Sequence, residues 1–519
     1  MFFIPLIANY RRYLAISPFF TPLIANYTLY LLNERAYMNK LIGRKQELTV
    51  IRKLAASPKS EFMAIYGRRR VGKTFLVREA FQGQFSFYVT AMANANTQQQ
   101  LTNFNAALKK YGPASQEKNQ PQTWFDAFIQ LETLLEGKKE KKKVVFIDEL
   151  PWFDTSRSSF LSSLEHFWNS WASARDDVLL VVCGSAASWM IHKLIRNTGG
   201  LYNRVTCRLK LEPFSLHETE LFLQHKGGQY DRYQLIELYM TMGGIPYYLD
   251  QVNVKLSTAQ NIDQLFFHPN GLLHQEFDAL YQSLFNYSEK HIRIIETLSK
   301  KAMGLTRNTI ITKSGLPNSG NTTGVLNELE ESGFIRKYHP FGKKERNSLY
   351  QLIDFYSLFF LKFIRDHRSS HNNQWINGMD HPRKRAWAGY AYEQVCLTHI
   401  EQIKSGLGIA GIQTTVSSWV GEGAQIDLVI DRRDRIINIC EIKFSTGTFT
   451  INKSYAQQLK NKMNAFRENM DTQHPLFLTM ITTFGVKRNK YAMSLVQNEL
   501  TMDVLFTPGL WSIFNNPFI

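Results

Sequence analysis

Three groups of residues have the types and spacing that chemistry requires. The first is Gly67-Arg68-Arg69-Arg70-Val71-Gly72-Lys73-Thr74, a G-x-x-x-x-G-K-T run. Its glycines let the backbone wrap a phosphate, and N–H groups at the following helix start face the anion. Lys73 would neutralise β- and γ-phosphate oxygens, and the Thr74 hydroxyl would ligate magnesium. The second is Asp148-Glu149. Asp148 would hold magnesium, directly or through water, and Glu149 would polarise an attacking water. The third is Glu393, Asp427, Glu441 and Lys443. Their carboxylate oxygens suit Mg²⁺, and phosphodiester hydrolysis uses such a metal to activate water and stabilise phosphate charge. Lys443 would orient that water or stabilise the transition state.

Elements must place these groups. Phe62–Tyr66 is a short apolar run that predicts a buried strand, and Phe75–Phe81 has helical spacing. Val144–Ile147 predicts a second strand, ending in the two acids at the carboxyl edge of a parallel sheet. Val178–Cys183 predicts a third, ending at Gly184-Ser185. Ser185 can sense the γ-phosphate or its water, and fits a plain strand-end turn equally well. Arg204 is a candidate arginine finger, in cis or from a neighbouring copy. It also reads as one surface arginine among 61 Lys and Arg.

Gly43-Arg44, the Gly67–Thr74 loop, Phe146-Ile147-Asp148-Glu149, Cys183-Gly184-Ser185 and Gly243-Gly244-Ile245-Pro246 follow in this order. Together they resemble the archaeal-type ATPase family, in the STAND-like branch of the AAA+ class, over roughly residues 41–250. The resemblance implies ATP and Mg²⁺ as cofactors and a helical lid in which Pro246 packs near the adenine. The family usually has Gly where this chain has Asn203, which weakens the role of Arg204.

Helical apolar spacing through Ile292, Ile295 and Leu298, a short helix near Thr309–Thr312 and a third over Asn321–Ser332 precede two strands, Gly333–Tyr338 and Leu349–Leu352. Three helices and a hairpin tipped by Gly342–Asn347 predict a winged helix-turn-helix. DNA contact and packing against the ATPase lid are the two readings. The third helix carries Glu328, Glu330 and Glu331 and no Lys or Arg, so repulsion from phosphate favours packing there. The basic tip could still touch a phosphate backbone.

Tyr390–Val395 reads as helix and holds Glu393. Ala424–Ile430 and Ile436–Phe444 read as two strands of a hairpin that carry Asp427, Glu441 and Lys443. Glu441 and Lys443, two apart, share a sheet face. Acids inside apolar strands are costly unless paired or metal-bound, although a solvated face with a Lys443 salt bridge would also explain them. Residues 385–485 resemble the PD-(D/E)XK nuclease superfamily and the related domain often fused to archaeal-type ATPases. That resemblance implies a metal site of Glu393, Asp427, Glu441 and Lys443. It also implies a further polar residue from the next helix, among Lys453, Tyr455, Gln457 and Gln458.

The 519-residue chain is 44% hydrophobic and 20% charged, which excludes a mainly disordered chain or a long coiled coil. Four cysteines without CxxC pairing exclude a disulfide scaffold, argue against structural zinc and set a reducing cytoplasm as the expected compartment. A net charge of +17 attracts polyanions such as nucleic acid or an anionic membrane, or simply keeps the surface soluble. Residues 1–37 repeat Pro-Leu-Ile-Ala-Asn-Tyr without change and hold no membrane-spanning run. They read as a non-native extension before Met38, or as an amphipathic membrane-associating stretch. The expected order is α/β throughout: this extension, a P-loop parallel-sheet core over 38–215, a helical lid over 216–284, a winged helix over 285–365 and a mixed α/β nuclease-like domain over 385–519. The expected function is an ATP-driven switch on a DNA-directed effector, without stable membrane insertion and with a homo-oligomer open to it. Its rivals are a DNA-binding regulator with an inert C-terminal fold and a signalling ATPase that does not touch DNA.

Overall fold

The computed structural model describes residues 41–113, 119–196, 199–285, 287–343, 347–365, 374–377, 381–421 and 423–509. The expected extension over 1–37, the Met38 start, the basic tip at 344–346 and the last ten residues lie outside these.

The first unit is a five-stranded parallel sheet. Its strands are β1 (Glu61–Tyr66), β2 (Phe87–Thr90), β3 (Lys143–Asp148), β4 (Val178–Gly184) and β5 (Cys207–Lys210), in the order β2-β3-β4-β1-β5. β1, β3 and β4 are buried almost throughout, which is why they read as continuous apolar runs rather than alternating ones. The register sets the site. Tyr66 pairs with Gly184 and Ile147 with Val182, so Gly67, Asp148 and Ser185 leave the sheet at one edge. Helix α1 (Lys73–Ala80) starts directly from the phosphate loop.

Helices then follow β5: Leu216–His225, Arg232–Met242, Pro246–Asp250 and Glu276–Gln282. Ser215 and Asp231 close capping boxes at the first two. Gly244 packs so closely on the preceding chain that a Cβ there would sit 1.8 Å from the Phe214 carbonyl oxygen.

Three helices, Ser288–Ser299, Arg307–Ser314 and Gly320–Glu331, fall where the apolar spacing puts them. They accompany a three-stranded antiparallel sheet of β6 (Leu305–Thr306), β7 (Ile335–Tyr338) and β8 (Leu349–Leu352), ordered β6-β8-β7. The acids of the third helix serve packing. Glu328 meets the buried His291 at 2.7 Å, and Glu331 meets His192 of the first unit at 3.0 Å.

The last unit is a mixed five-stranded sheet: β9 (Thr414–Gly421), β10 (Ala424–Arg432), β11 (Ile437–Lys443), β12 (Leu476–Thr482) and β13 (Asn498–Thr501), in the order β13-β12-β11-β10-β9. β10 is antiparallel to both neighbours, whereas β11, β12 and β13 run parallel. Helix α2 (Pro382–Thr398) packs on one face through Ala391, Val395, Cys440 and Ile442. Helix α3 (Lys453–Met470) covers the other, where Phe466 meets Ile437 and Ile439. One continuous apolar core runs from Val50 in the first unit to Phe506 in the last.

Candidate functional site

The phosphate loop has its backbone bent for its task. Gly67 adopts φ 137° and Gly72 φ 91°. A Cβ at Gly67 would lie 2.4 Å from the Leu211 carbonyl oxygen, so only glycine fits. Lys73 is buried, and its Nζ donates to the carbonyls of Gly67 and Arg68, both at 3.0 Å. Burial pulls its pKa down. The Thr74 hydroxyl donates to the Asp148 carboxylate at 3.0–3.1 Å. Cys183 Sγ donates to the same carboxylate at 2.6 Å. Burial raises the Asp148 pKa.

Glu149 has φ 51°, a left-handed conformation uncommon outside glycine. That turn carries its carboxylate to Ser185, which donates from Oγ at 2.7 Å and from its backbone N–H at 3.1 Å. Ser185 is therefore a partner of the candidate water-polarising acid. Thr74 and Asp148 fit Mg²⁺ in donor type, both being hard oxygen groups joined across the loop.

Two loop arginines have separate acidic partners. Arg68 is buried, pairs with Asp354 and stacks over Phe334 at 4.7 Å. Arg70 meets Glu276 at 2.5 Å and lies over Tyr247 at 4.3 Å. Arg69 and Val71 complete the turn, Val71 fully buried and accepting from Arg44 Nη2 at 3.2 Å. These ties to Asp354 and Glu276 lie 286 and 206 residues away in sequence, from 354 − 68 and 276 − 70. Sequence spacing carried no sign of them.

Two expected residues stand elsewhere. Arg204 is exposed in the turn before β5. Because β5 runs parallel to β1, Arg204 sits at the amino edge of the sheet, opposite the phosphate loop. An arginine side chain cannot span the sheet, so the structure does not bring Arg204 to the phosphate loop of its own chain. Pro246 opens its short helix at the first position. Its neighbours Gly244 and Ile245, not Pro246 itself, line a cavity of about 800 Å³ that Arg44, Arg68 and Phe214 also border.

The second constellation is drawn together by the C-terminal sheet. Leu428 pairs with Cys440 in an antiparallel ladder, so the next step sets Asp427 opposite Glu441. A bulge in β10 between Ile426 and Val429 re-aims the Asp427 side chain. Glu393 comes from α2. Burial, then the charges of Asp427 and Glu441, push the Glu393 pKa up to about 8. Burial and Glu441 raise that of Asp427.

Glu441 is held differently. Lys443 Nζ lies 2.9 Å from Oε1 and Lys462 Nζ 2.6 Å from Oε2. The Tyr455 hydroxyl donates to Oε1. Of the four residues expected from the following helix, Tyr455 is the one that arrives. Lys462 was missed, although its signal was present: seven residues after Tyr455, it lies two turns along the same helix face.

Three carboxylates that repel one another in a half-buried hollow fit a hard divalent cation in donor type. Among the described residues, no three acidic, imidazole or thiol groups stand close enough to form a ready-made metal centre. Glu441 is already neutralised by two lysines.

Residues 41–252 match the model of a family described as an ATPase domain predominantly from Archaea. This segment is an archaeal-type ATPase domain. The ATPase domain accounts for the phosphate loop and the Asp148-Glu149 pair, and the remaining units lie beyond the match. Over 415 residues the chain is 23% identical to the uncharacterized protein MJECL04 of Methanocaldococcus jannaschii, covering 78% of this chain and 87% of that one. Among solved structures it is similar to the Walker-type ATPase PABY2304 of Pyrococcus abyssi, at 16% identity and a TM-score of 0.44, covering 62% of this chain and 96% of that one. It is also similar to the ORC2 protein of Aeropyrum pernix, at 14% identity and a TM-score of 0.39, covering 62% and 93%. Among the described residues no helix is long and apolar enough to cross a membrane.

Proposed function

We propose that the chain is an ATP-binding and ATP-hydrolysing switch that controls a metal-dependent, DNA-directed nuclease-like domain in the cytoplasm. For the switch, the supporting observation is the Thr74–Asp148 contact beside Lys73, with Glu149 poised one residue on. Thr74 and Asp148 would hold Mg²⁺, and Lys73 and the loop N–H groups would hold the triphosphate. Glu149, released from Ser185, orients the attacking water and takes up its proton. Ser185 reports on the γ-phosphate through that release. Arg204 could complete a site only from a neighbouring copy, which would make the active form a homo-oligomer. Gly244, Ile245 and Pro246 flank the nucleotide base.

For the effector, the single observation that carries the reading is the convergence of Glu393 and Asp427, both raised by burial and by neighbouring carboxylate charges, on the lysine-held Glu441 beside Lys443. Glu393, Asp427 and Glu441 would hold Mg²⁺, which supplies Lewis-acid stabilisation and an activated water when bound. Lys443 orients that water. The units between 285 and 365 take the winged-helix role, with the third helix packed inward rather than reading DNA.

A second reading has its own observation. Lys443 and Lys462 neutralise Glu441 from both sides, as an inert C-terminal fold in an ATP-gated DNA-binding regulator would permit. Purified protein with Mg²⁺ or Mn²⁺ and ATP, compared with Asp427→Ala and Lys73→Ala, separates the two. Cleavage lost in Asp427→Ala supports the nuclease. Salt-sensitive binding without cleavage supports the regulator. Absence of binding leaves a signalling ATPase.

A further inference from the structure

Three arginines at and beside the phosphate loop have acids. Arg44 has Glu47 at 3.2 Å, Arg68 has Asp354 and Arg70 has Glu276. Arg336 on β7 does not. Its Nε donates to Gln351 Oε1 at 2.8 Å, and its Nη2 donates to the same oxygen and to Gln394 Oε1 at 3.1 Å. No carboxylate among the described residues pairs with it. Burial pulls its pKa down. Arg336 is half-buried; an uncompensated charge partly withdrawn from water carries a cost, and neutral glutamine carbonyls orient a guanidinium without cancelling it.

Its surroundings say what could cancel it. Arg336 lines a hollow of about 210 Å³ together with Glu393, Asp427, Gln425, Tyr338 and Ser417. One wall is the β6-β8-β7 sheet and the other is β9-β10. Phe341, just past β7, pins the walls together: its N–H donates to the Ser418 carbonyl at 2.7 Å and its ring meets Phe466 at 5.3 Å. At roughly 30 Å³ per molecule the hollow holds about seven waters. A phosphate with its sugar fits between such walls; a stack of base pairs does not.

We infer that Arg336 is the phosphate-binding residue of the Glu393–Asp427 hollow, and that the nucleic acid it holds there is a single strand. The inference rests on the nuclease-like reading and extends it, because the cation comes from a different unit than the carboxylates. A guanidinium offers a planar pair of N–H donors to a phosphodiester. The glutamines hold that plane in place.

The test is fluorescence anisotropy of a labelled single-stranded oligodeoxynucleotide and its duplex, with the full chain in Ca²⁺. Arg336→Gln should weaken single-strand binding about tenfold, the loss of one charge-assisted contact, and Arg336→Lys should restore part of it. Gln351→Glu keeps the side chain's size but gives Arg336 an acid, and should weaken binding as much as Arg336→Gln. The wild-type melting temperature and fluorescent-ATP affinity should persist in Gln351→Glu, which separates a ligand role from a structural one. Single-strand binding unchanged in Arg336→Gln and Gln351→Glu, or duplex bound as tightly as single strand, overturns the inference. Asp427→Asn distinguishes the two levels. If it abolishes the Ca²⁺ dependence of binding while the Arg336 and Gln351 variants change nothing, the inference alone falls. If it leaves that dependence unchanged, or if the wild type binds no strand, the nuclease-like reading falls with it.

Discussion

Arg68, inside the phosphate loop, forms a buried ion pair with Asp354, the residue that caps helix Phe355–Phe363. The pair ties the ATPase domain to the unit that follows its lid. Asp354 also accepts from the Ser357 backbone N–H at 2.9 Å, so the anchor is rigid. Two residues before Leu352 ends β8, Tyr350 begins the stretch whose Gln351 holds Arg336. Contact therefore runs from the loop to the wall of the carboxylate hollow.

Removing one partner of that pair strands a buried charge, at a cost of about 3–5 kcal/mol. Asp354→Asn and Arg68→Gln should each lower urea stability by amounts of this order. The double variant Arg68→Met/Asp354→Leu should recover most of it, because the cost lies in the unpaired charge rather than in the missing bond. Additive losses in the double variant would show that the pair does not act as a unit.

Glu149→Gln keeps the shape that Ser185 holds while removing the carboxylate that accepts a proton. ATP binding, followed by a fluorescent analogue, should stay close to wild type. Turnover should fall by about 10²–10⁴-fold, the range of a general base. Lys73→Ala should instead lose binding and turnover together. Equal binding losses in both variants would remove Glu149 from the chemistry.

The elements that carry these residues were legible in the sequence, and their long-range partners were not. Continuous apolar runs gave β1, β3 and β4 because both faces of a parallel sheet are covered. The spacing of Asp427 and Glu441 put them on paired strands, and the ladder set them side by side. Arg204 stands at the far edge of the sheet, which its sequence could not show, because adjacency to the nucleotide motifs says nothing about which sheet edge a residue occupies. Asp354 and Glu276 were invisible for a related reason: ion pairs between distant segments leave no periodicity. The basic tip that could touch a phosphate backbone lies largely outside the described residues; Phe341, just before it, packs on Phe466.

His399 ties α2 to the lid. Its Nδ1–H donates to the Val395 carbonyl at 2.8 Å, and its Nε2 accepts from the Leu216 backbone N–H at 2.9 Å. Burial lowers its pKa to about 4, against about 6.5 for a free imidazole. A buried neutral histidine contributes stability that is complete above pH ~6.5, and that stability drains as pH falls toward ~4, where the folded state must also take up the proton. The shift is worth on the order of 3 kcal/mol. Denaturation midpoints measured across this window should fall steeply for wild type and less for His399→Gln, whose amide oxygen can still accept from Leu216. Parallel slopes would assign the acid sensitivity to other groups.

Asp427→Asn tests whether the C-terminal acids are kept for a cation. Without metal, Glu393, Asp427 and Glu441 oppose one another, and Lys443 and Lys462 both sit on Glu441. Replacing Asp427 by its amide removes one charge from that set and little volume. The metal-free variant should therefore melt higher than wild type at pH 8, by a few degrees, as about 1 kcal/mol gives in a unit of 150–250 residues. The same change removes a hard ligand, so the rise in melting temperature that Mn²⁺ gives wild type should vanish. A cluster kept only for surface charge would show neither effect, because solvent would screen the repulsion and Mn²⁺ would find no site. A variant that melts lower without metal and still responds to Mn²⁺ would place Asp427 in the fold and outside the metal's coordination.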